Sequence, residues 1–69
     1  MTPKEFGEQQ IGDIFAYNIG GDGIIYYCLI YERKRSSLRV MVLNPNNTDI
    51  EQNFWFGISS SSIENTEKL

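Results

Sequence analysis

Histidine is missing from this sequence altogether. Its absence removes Ser/His/Asp and Cys/His catalysis and every zinc site that needs an imidazole. Cysteine occurs once, as Cys28. One thiol can make neither an internal disulfide nor a four-thiolate metal site, and a disulfide-free chain suits a reducing compartment. Cys28 lies inside the apolar stretch 24–31 and reads as a small buried core residue. A reactive thiol would need a neighbouring positive charge or a helix N-terminus, and neither stands beside it in the sequence. That stretch, eight residues long, is the longest apolar run, far short of the roughly 20 residues that span a bilayer as a helix. The opening Met1-Thr2-Pro3-Lys4-Glu5 has no apolar core of the signal-peptide kind. The expectation is a soluble cytoplasmic protein with no membrane partner, no metal, no cofactor and no catalytic residue.

What is present points to a small β-rich domain. Apolar residues make up 41% and aromatics 13% of the 69 residues, too high a load for a disordered chain. A chain of this length forms one domain, residues 1–69, and buries only about 60% of the surface its unfolded form exposes. Thr2-Pro3-Lys4-Glu5 carries the signature of a helix start, with Thr2 as cap, Pro3 at the first helical position and Glu5 closing a capping box. Phe6 is the one residue that would anchor this turn. Residues 11–18 read as a first strand, with Ile14 and Ala16 on one face and Phe15 and Tyr17 on the other. Residues 24–33 form the strongest strand pattern, apolar on both faces, which suggests a sharply curved sheet. Leu38, Val40 and Val42 line one face of a third strand over 38–43. Residues 48–56 read as a fourth, with Ile50, Phe54 and Phe56 alternating with Asp49, Glu51, Asn53 and Trp55. Turns are expected at Gly20-Gly21-Asp22-Gly23, Lys34-Arg35-Ser36-Ser37 and Asn44-Pro45-Asn46-Asn47. Ser61-Ser62-Ile63-Glu64 offers a second capping box, so 62–68 reads as a short helix or a frayed last strand.

Hairpin spacing dominates and no βαβ spacing occurs. The pattern predicts an all-β fold, a small SH3-like, partly open barrel of about five strands with a short N-terminal helical turn. Gly12-Asp13-Ile14-Phe15-Ala16, then Asp22-Gly23, Tyr26-Tyr27, Ile30 and Val40, resemble Tudor-type SH3-like barrels. The same opening is similar to bacterial immunity proteins of polymorphic toxin systems. The resemblance spans residues 11 to about 43. The Tudor likeness implies an aromatic cage for methylated Arg or Lys, with Tyr17 and Tyr26 at the corresponding positions. The third strand ends in Leu43-Asn44-Pro45, where such domains place an aromatic and a Gly-Asn. Half of the cage thus lacks a counterpart, and the likeness carries over the fold without the ligand.

Two constellations compete for a functional reading. Arg33, Lys34, Arg35 and Arg39 hold four of the six basic residues; outside them two basic residues face nine acidic ones, a balance of −7. A basic hairpin can contact phosphates, or it can be a solvated tip that blocks edge-to-edge strand pairing. With a net charge of −3 the chain as a whole is repelled by nucleic acid. The second constellation is aromatic. Alternation turns Trp55 outward between Phe54 and Phe56, beside Asp49 and Glu51, and Trp is enriched at interface hot spots. Some of Tyr17, Tyr26, Tyr27 and Tyr31 must also face outward, forming a protein-binding patch or a homodimer interface. Asp49 and Glu51 lie about 7 Å apart on one strand face and, lacking a base or metal partner, read as a solvated face. Gly20-Gly21-Asp22-Gly23 joins two strands and lacks the following helix that a phosphate cradle needs.

The resulting expectation is a non-catalytic protein-interaction module, an inhibitor or immunity-type factor that occludes a partner protein, with Tyr17, Tyr26, Asp49, Glu51 and Trp55 as contact residues. The acidic body would complement a basic partner surface. The alternative is a nucleic-acid-binding barrel that uses Arg33, Lys34, Arg35 and Arg39. Richness in Ile, Asn and Ser is compatible with a phage or mobile-element origin.

Overall fold

A computed structural model describes residues 1–18, 23–44 and 52–69 of the protein. The capping box expected at the start is formed. The Thr2 hydroxyl accepts the Glu5 N–H at 3.2 Å and the Glu5 carboxylate accepts the Thr2 N–H at 2.9 Å. The bond from the Thr2 N–H, followed by hydrogen bonding from the Thr2 side chain, holds the Glu5 carboxyl below its ordinary value. Helix α1 (Pro3–Gly7) is one turn long and buries Phe6. The chain then turns through Gly12, whose φ of 97° favours glycine. The Gly12 N–H donates to the Ile30 carbonyl at 2.8 Å, which fixes where the first strand begins.

Five strands follow: β1 (Ile14–Asn18), β2 (Ile25–Arg33), β3 (Ser37–Val42), β4 (Asn53–Gly57) and β5 (Thr66–Lys68). They form one antiparallel sheet in the order β4-β3-β2-β1-β5. A 3₁₀ helix, Ser61–Asn65, leads into β5 and is capped by Ser60, whose hydroxyl accepts the Ser62 N–H. In a flat sheet β1 and β4 would lie about 14 Å apart, three strand spacings. Instead Tyr17 and Phe15 of β1 meet Phe56 of β4 with ring centroids 5.0 and 5.9 Å apart. The sheet therefore curls round a single core as a small SH3-like, partly open barrel.

The core is a cluster of rings plugged by the helix. Phe6 stands 5.4 Å from Phe15 and 5.0 Å from Phe56, in tilted or edge-on geometry. Around them Cys28 and Ile30 of β2, Leu38, Val40 and Val42 of β3, and Ile63 of the 3₁₀ helix are buried. Burial pushes the Cys28 thiol from 9.0 up to about 12, as expected of an inert core thiol.

Several sequence expectations are corrected. The first strand begins at Ile14, since Ile11 and Gly12 form a turn. The second strand is not buried on both faces: Tyr26, Cys28 and Ile30 are inside, while Ile25 and Tyr27 face solvent. The C-terminal element is a 3₁₀ helix and then a strand rather than one or the other. The turns at Gly20-Gly21-Asp22 and Pro45-Asn46-Asn47, and the fourth-strand residues 48–51, lie outside the described residues.

Candidate aromatic and cationic interface

The register of β2 against β3 shifts by one residue between Ile30 and Glu32. Before the shift, even-numbered β2 residues face the core, because Cys28 pairs with Val42 and Ile30 with Val40. After it, Arg33 pairs with the buried Leu38, and Glu32 pairs with Arg39. Paired residues share a face, so the bulge at Tyr31 exchanges the faces of Glu32 and Arg33.

This exchange separates the four cations of the hairpin. Arg33 turns toward α1, where its guanidinium donates to the Gly7 and Gln9 carbonyls. A basic side chain on the open carbonyls behind a helix is a favourable terminus, and Arg33 is thereby a structural residue. Of the four cations expected to contact phosphate, Arg33 is the one held by backbone carbonyls. Arg39 remains outside. Its guanidinium meets the Glu32 carboxylate at 3.4 Å and lies 5.4 Å from the Tyr31 ring and 5.8 Å from that of Trp55. Lys34 places its ammonium 4.5 Å from the Trp55 ring centre. Arg35 is exposed at the hairpin tip, where the Lys34 N–H donates to the Ser37 carbonyl at 2.9 Å.

Trp55 faces outward from β4, paired with Arg39 across the strands and 38% exposed. The aromatic and basic constellations of the sequence are thus one patch, in which cations lie over ring faces. Met41 follows Arg39 on the same face of β3 and is exposed, and Tyr27 and Leu43 continue the apolar surface beyond it. Alternation along the third strand sets Met41 and Leu43 on one face with Arg39, although neither was among the expected contact residues.

The tyrosines divide. Tyr26 is 2% exposed and offers no surface to a partner, so its expected contact role is corrected; Tyr27 is the exposed member of the pair. Tyr17 packs partly on the core, edge-on to Phe56. Its remaining surface lines a shallow cleft of about 210 Å³ with Phe54, Trp55, Gly57, Ser60 and Ser62. Tyr17 and Trp55 thus share a cleft, from which Tyr26 is absent. Asp49 and Glu51 lie outside the described residues. Among the described residues no three Cys, Asp or Glu side chains converge as a metal site, and no helix is long and apolar enough to cross a membrane.

Fold and patch together define the class: a small SH3-like β-barrel whose outer sheet face carries an exposed tryptophan with two cations over its ring. No family model matches the chain, and neither a curated protein nor a solved structure matches it.

Proposed function

We propose that the protein is a non-catalytic interaction module of the inhibitor or immunity type, which occludes a partner protein with the outer face of β2, β3 and β4. The observation that carries this reading is Trp55, exposed and approached by Lys34 and Arg39 on a face that continues through Tyr31 and Met41. Trp, Tyr, Arg and Met are the residue types enriched at protein interfaces. A contiguous apolar face left in water marks a binding surface more often than it serves the fold.

Direct nucleic-acid binding has weaker support. Arg33 is engaged by the backbone behind α1, and Arg39 is neutralised by Glu32. Lys34 and Arg35 are left to contact phosphates, on a chain of net charge −3.

Tagged capture from host lysate at low and moderate salt, with bound protein and nucleic acid both quantified, tests this reading. The expected result is one stoichiometric protein that persists at moderate salt, is lost with Trp55→Ala and survives Arg35→Ala. Trp hot spots typically cost about 2 kcal/mol or more when truncated. Nucleic acid that elutes as salt rises, with no protein partner, would overturn it.

A further inference from the structure

We propose that the outer edge of β4 takes up an extended acidic peptide segment of the partner by strand addition. This inference rests on the protein-interaction reading above and names the partner's chemistry and the mode of contact. β4 is the terminal strand of the sheet order, and among the described residues no strand pairs with its outer edge. The Val42 N–H donates to the Gln52 carbonyl and the Ile58 N–H to the Ser36 carbonyl. With the register of the pair, that parity directs the backbone groups of Phe54 and Phe56 toward β3. The groups of Asn53, Trp55 and Gly57 point away from it. The Gly57 carbonyl is taken by the Ser60 N–H at 3.1 Å. The outward amides and carbonyls of Asn53 and Trp55, with the Gly57 N–H, form a short ladder for an added strand.

Side chains of such a strand alternate between two surfaces already present. One set enters the cleft between Tyr17 and Ser60; the other lies over Trp55 on the outer face. Charge selects the occupant. Lys34 and Arg39 stand over Trp55 at this end of the sheet, Arg35 is exposed in the adjoining turn, and Glu32 is the carboxylate that meets Arg39. Among the described residues the excess is cationic, so carboxylates of an incoming strand are favoured. The same cations disfavour a second copy of this edge, which would bring identical charges together. A nucleic acid has no backbone ladder to match.

The test uses two synthetic peptides, one alternating glutamate with valine and the other lysine with valine, titrated into the isotope-labelled full chain. The glutamate peptide should shift the amide resonances of Asn53, Trp55 and Gly57 and change the fluorescence of the sole tryptophan; the lysine peptide should not. Asn53→Pro removes one outward N–H at an edge position where proline is tolerated. It should weaken binding about tenfold, while Asn53→Ala should change it by less than about twofold. As a control independent of the protein's folding, N-methylation of alternate peptide amides should abolish binding in one phase and spare it in the other.

Binding that ignores both Asn53→Pro and the phase of methylation but is lost with Trp55→Ala would overturn strand addition and leave the interaction reading standing. Indifference to Trp55→Ala as well would remove both. Equal binding of the lysine peptide, or no binding of either, would overturn the acidic assignment. So would protection of these amides that rises with protein concentration alone, which would identify a second copy as the occupant. Shifts confined to Lys34 and Arg35 on adding a single-stranded oligonucleotide, with none from peptide, would assign the patch to phosphate instead.

Discussion

The two faces of the β2-β3-β4 sheet are both apolar, yet only one is buried. On the inner face Cys28, Ile30, Leu38, Val40 and Phe56 are at most 4% exposed. On the outer face Tyr27, Met41 and Trp55 are each about two-fifths exposed. The inner set accounts for the fold, because its side chains meet the rings of Phe6 and Phe15 across the barrel. The outer set meets cations and solvent. Apolar surface that remains in water contributes little to folding, since stabilisation scales with the area removed. Stability therefore explains little of its presence beside Lys34 and Arg39, and the proposed recognition role would account for it.

The sharpest way to break this comparison is to truncate the ring at the centre of the inner face. Phe56→Ala should cost about 3–5 kcal/mol, most of the stability a domain of this size holds. In a urea titration the midpoint should collapse or the chain should be unfolded without denaturant. A midpoint near wild type would mean that the ring cluster does not organise the core.

A smaller contrast sets the hairpin's two structured arginines against each other. Arg33→Ala leaves the carbonyls of Gly7 and Gln9 without their charged donor and should cost about 1.5–3 kcal/mol. Arg39→Ala removes a surface pair and should cost less than about 1 kcal/mol. Equal urea midpoints for the two variants would contradict the different roles that the bulge at Tyr31 gives them.

Smaller again is the capping box. Thr2→Ala should cost about 1 kcal/mol, read as a small drop in thermal midpoint with the sheet signal intact. The Glu5 side of the box is pH-dependent. Its folded-state carboxyl is held low, so its contribution is present above the unfolded value and is lost as pH falls through the folded one. Glu5→Gln should remove that acid-side slope.

Cys28 gives the opposite sign. Its thiol is pushed from 9.0 to about 12, so the unfolded chain releases this proton first. Stability should decline as pH rises past 9.0 toward about 12. Comparing thermal midpoints of wild type and Cys28→Val on the alkaline side isolates that decline. A thiol reagent should also leave Cys28 unmodified in the folded chain; rapid labelling under native conditions would contradict its burial.

Much of the fold was legible because it is decided locally. Thr2 and Glu5 are three residues apart and cap their own turn. Leu38 and Val40 alternate with Ser37 and Arg39, so their inward face could be read directly. Trp55 was legible as outward because Phe54 and Phe56 flank it and the larger apolar pair claims the inside. The remainder is decided by contacts distant in sequence. Every residue of 24–31 is apolar, so alternation alone could not choose between Tyr26 and Tyr27; pairing with β1 and β3 makes that choice. The roles of Arg33 and Arg39 depend on one extra residue at the Tyr31 bulge, which leaves no mark in composition or periodicity. The meeting of Lys34 with Trp55 depends on β4 returning beside the hairpin. Reading the two constellations as rivals therefore missed that they form one surface.

The central claim is that the outer face recognises a partner while the inner face holds the fold. Its most direct measurement gives one variant, Trp55→Ala, two readouts beside wild type: the urea midpoint and the retention of the captured partner. The account predicts a midpoint within about 1 kcal/mol of wild type and loss of the partner. A variant that unfolds as Phe56→Ala does, or one that stays folded and still holds the partner, would contradict it.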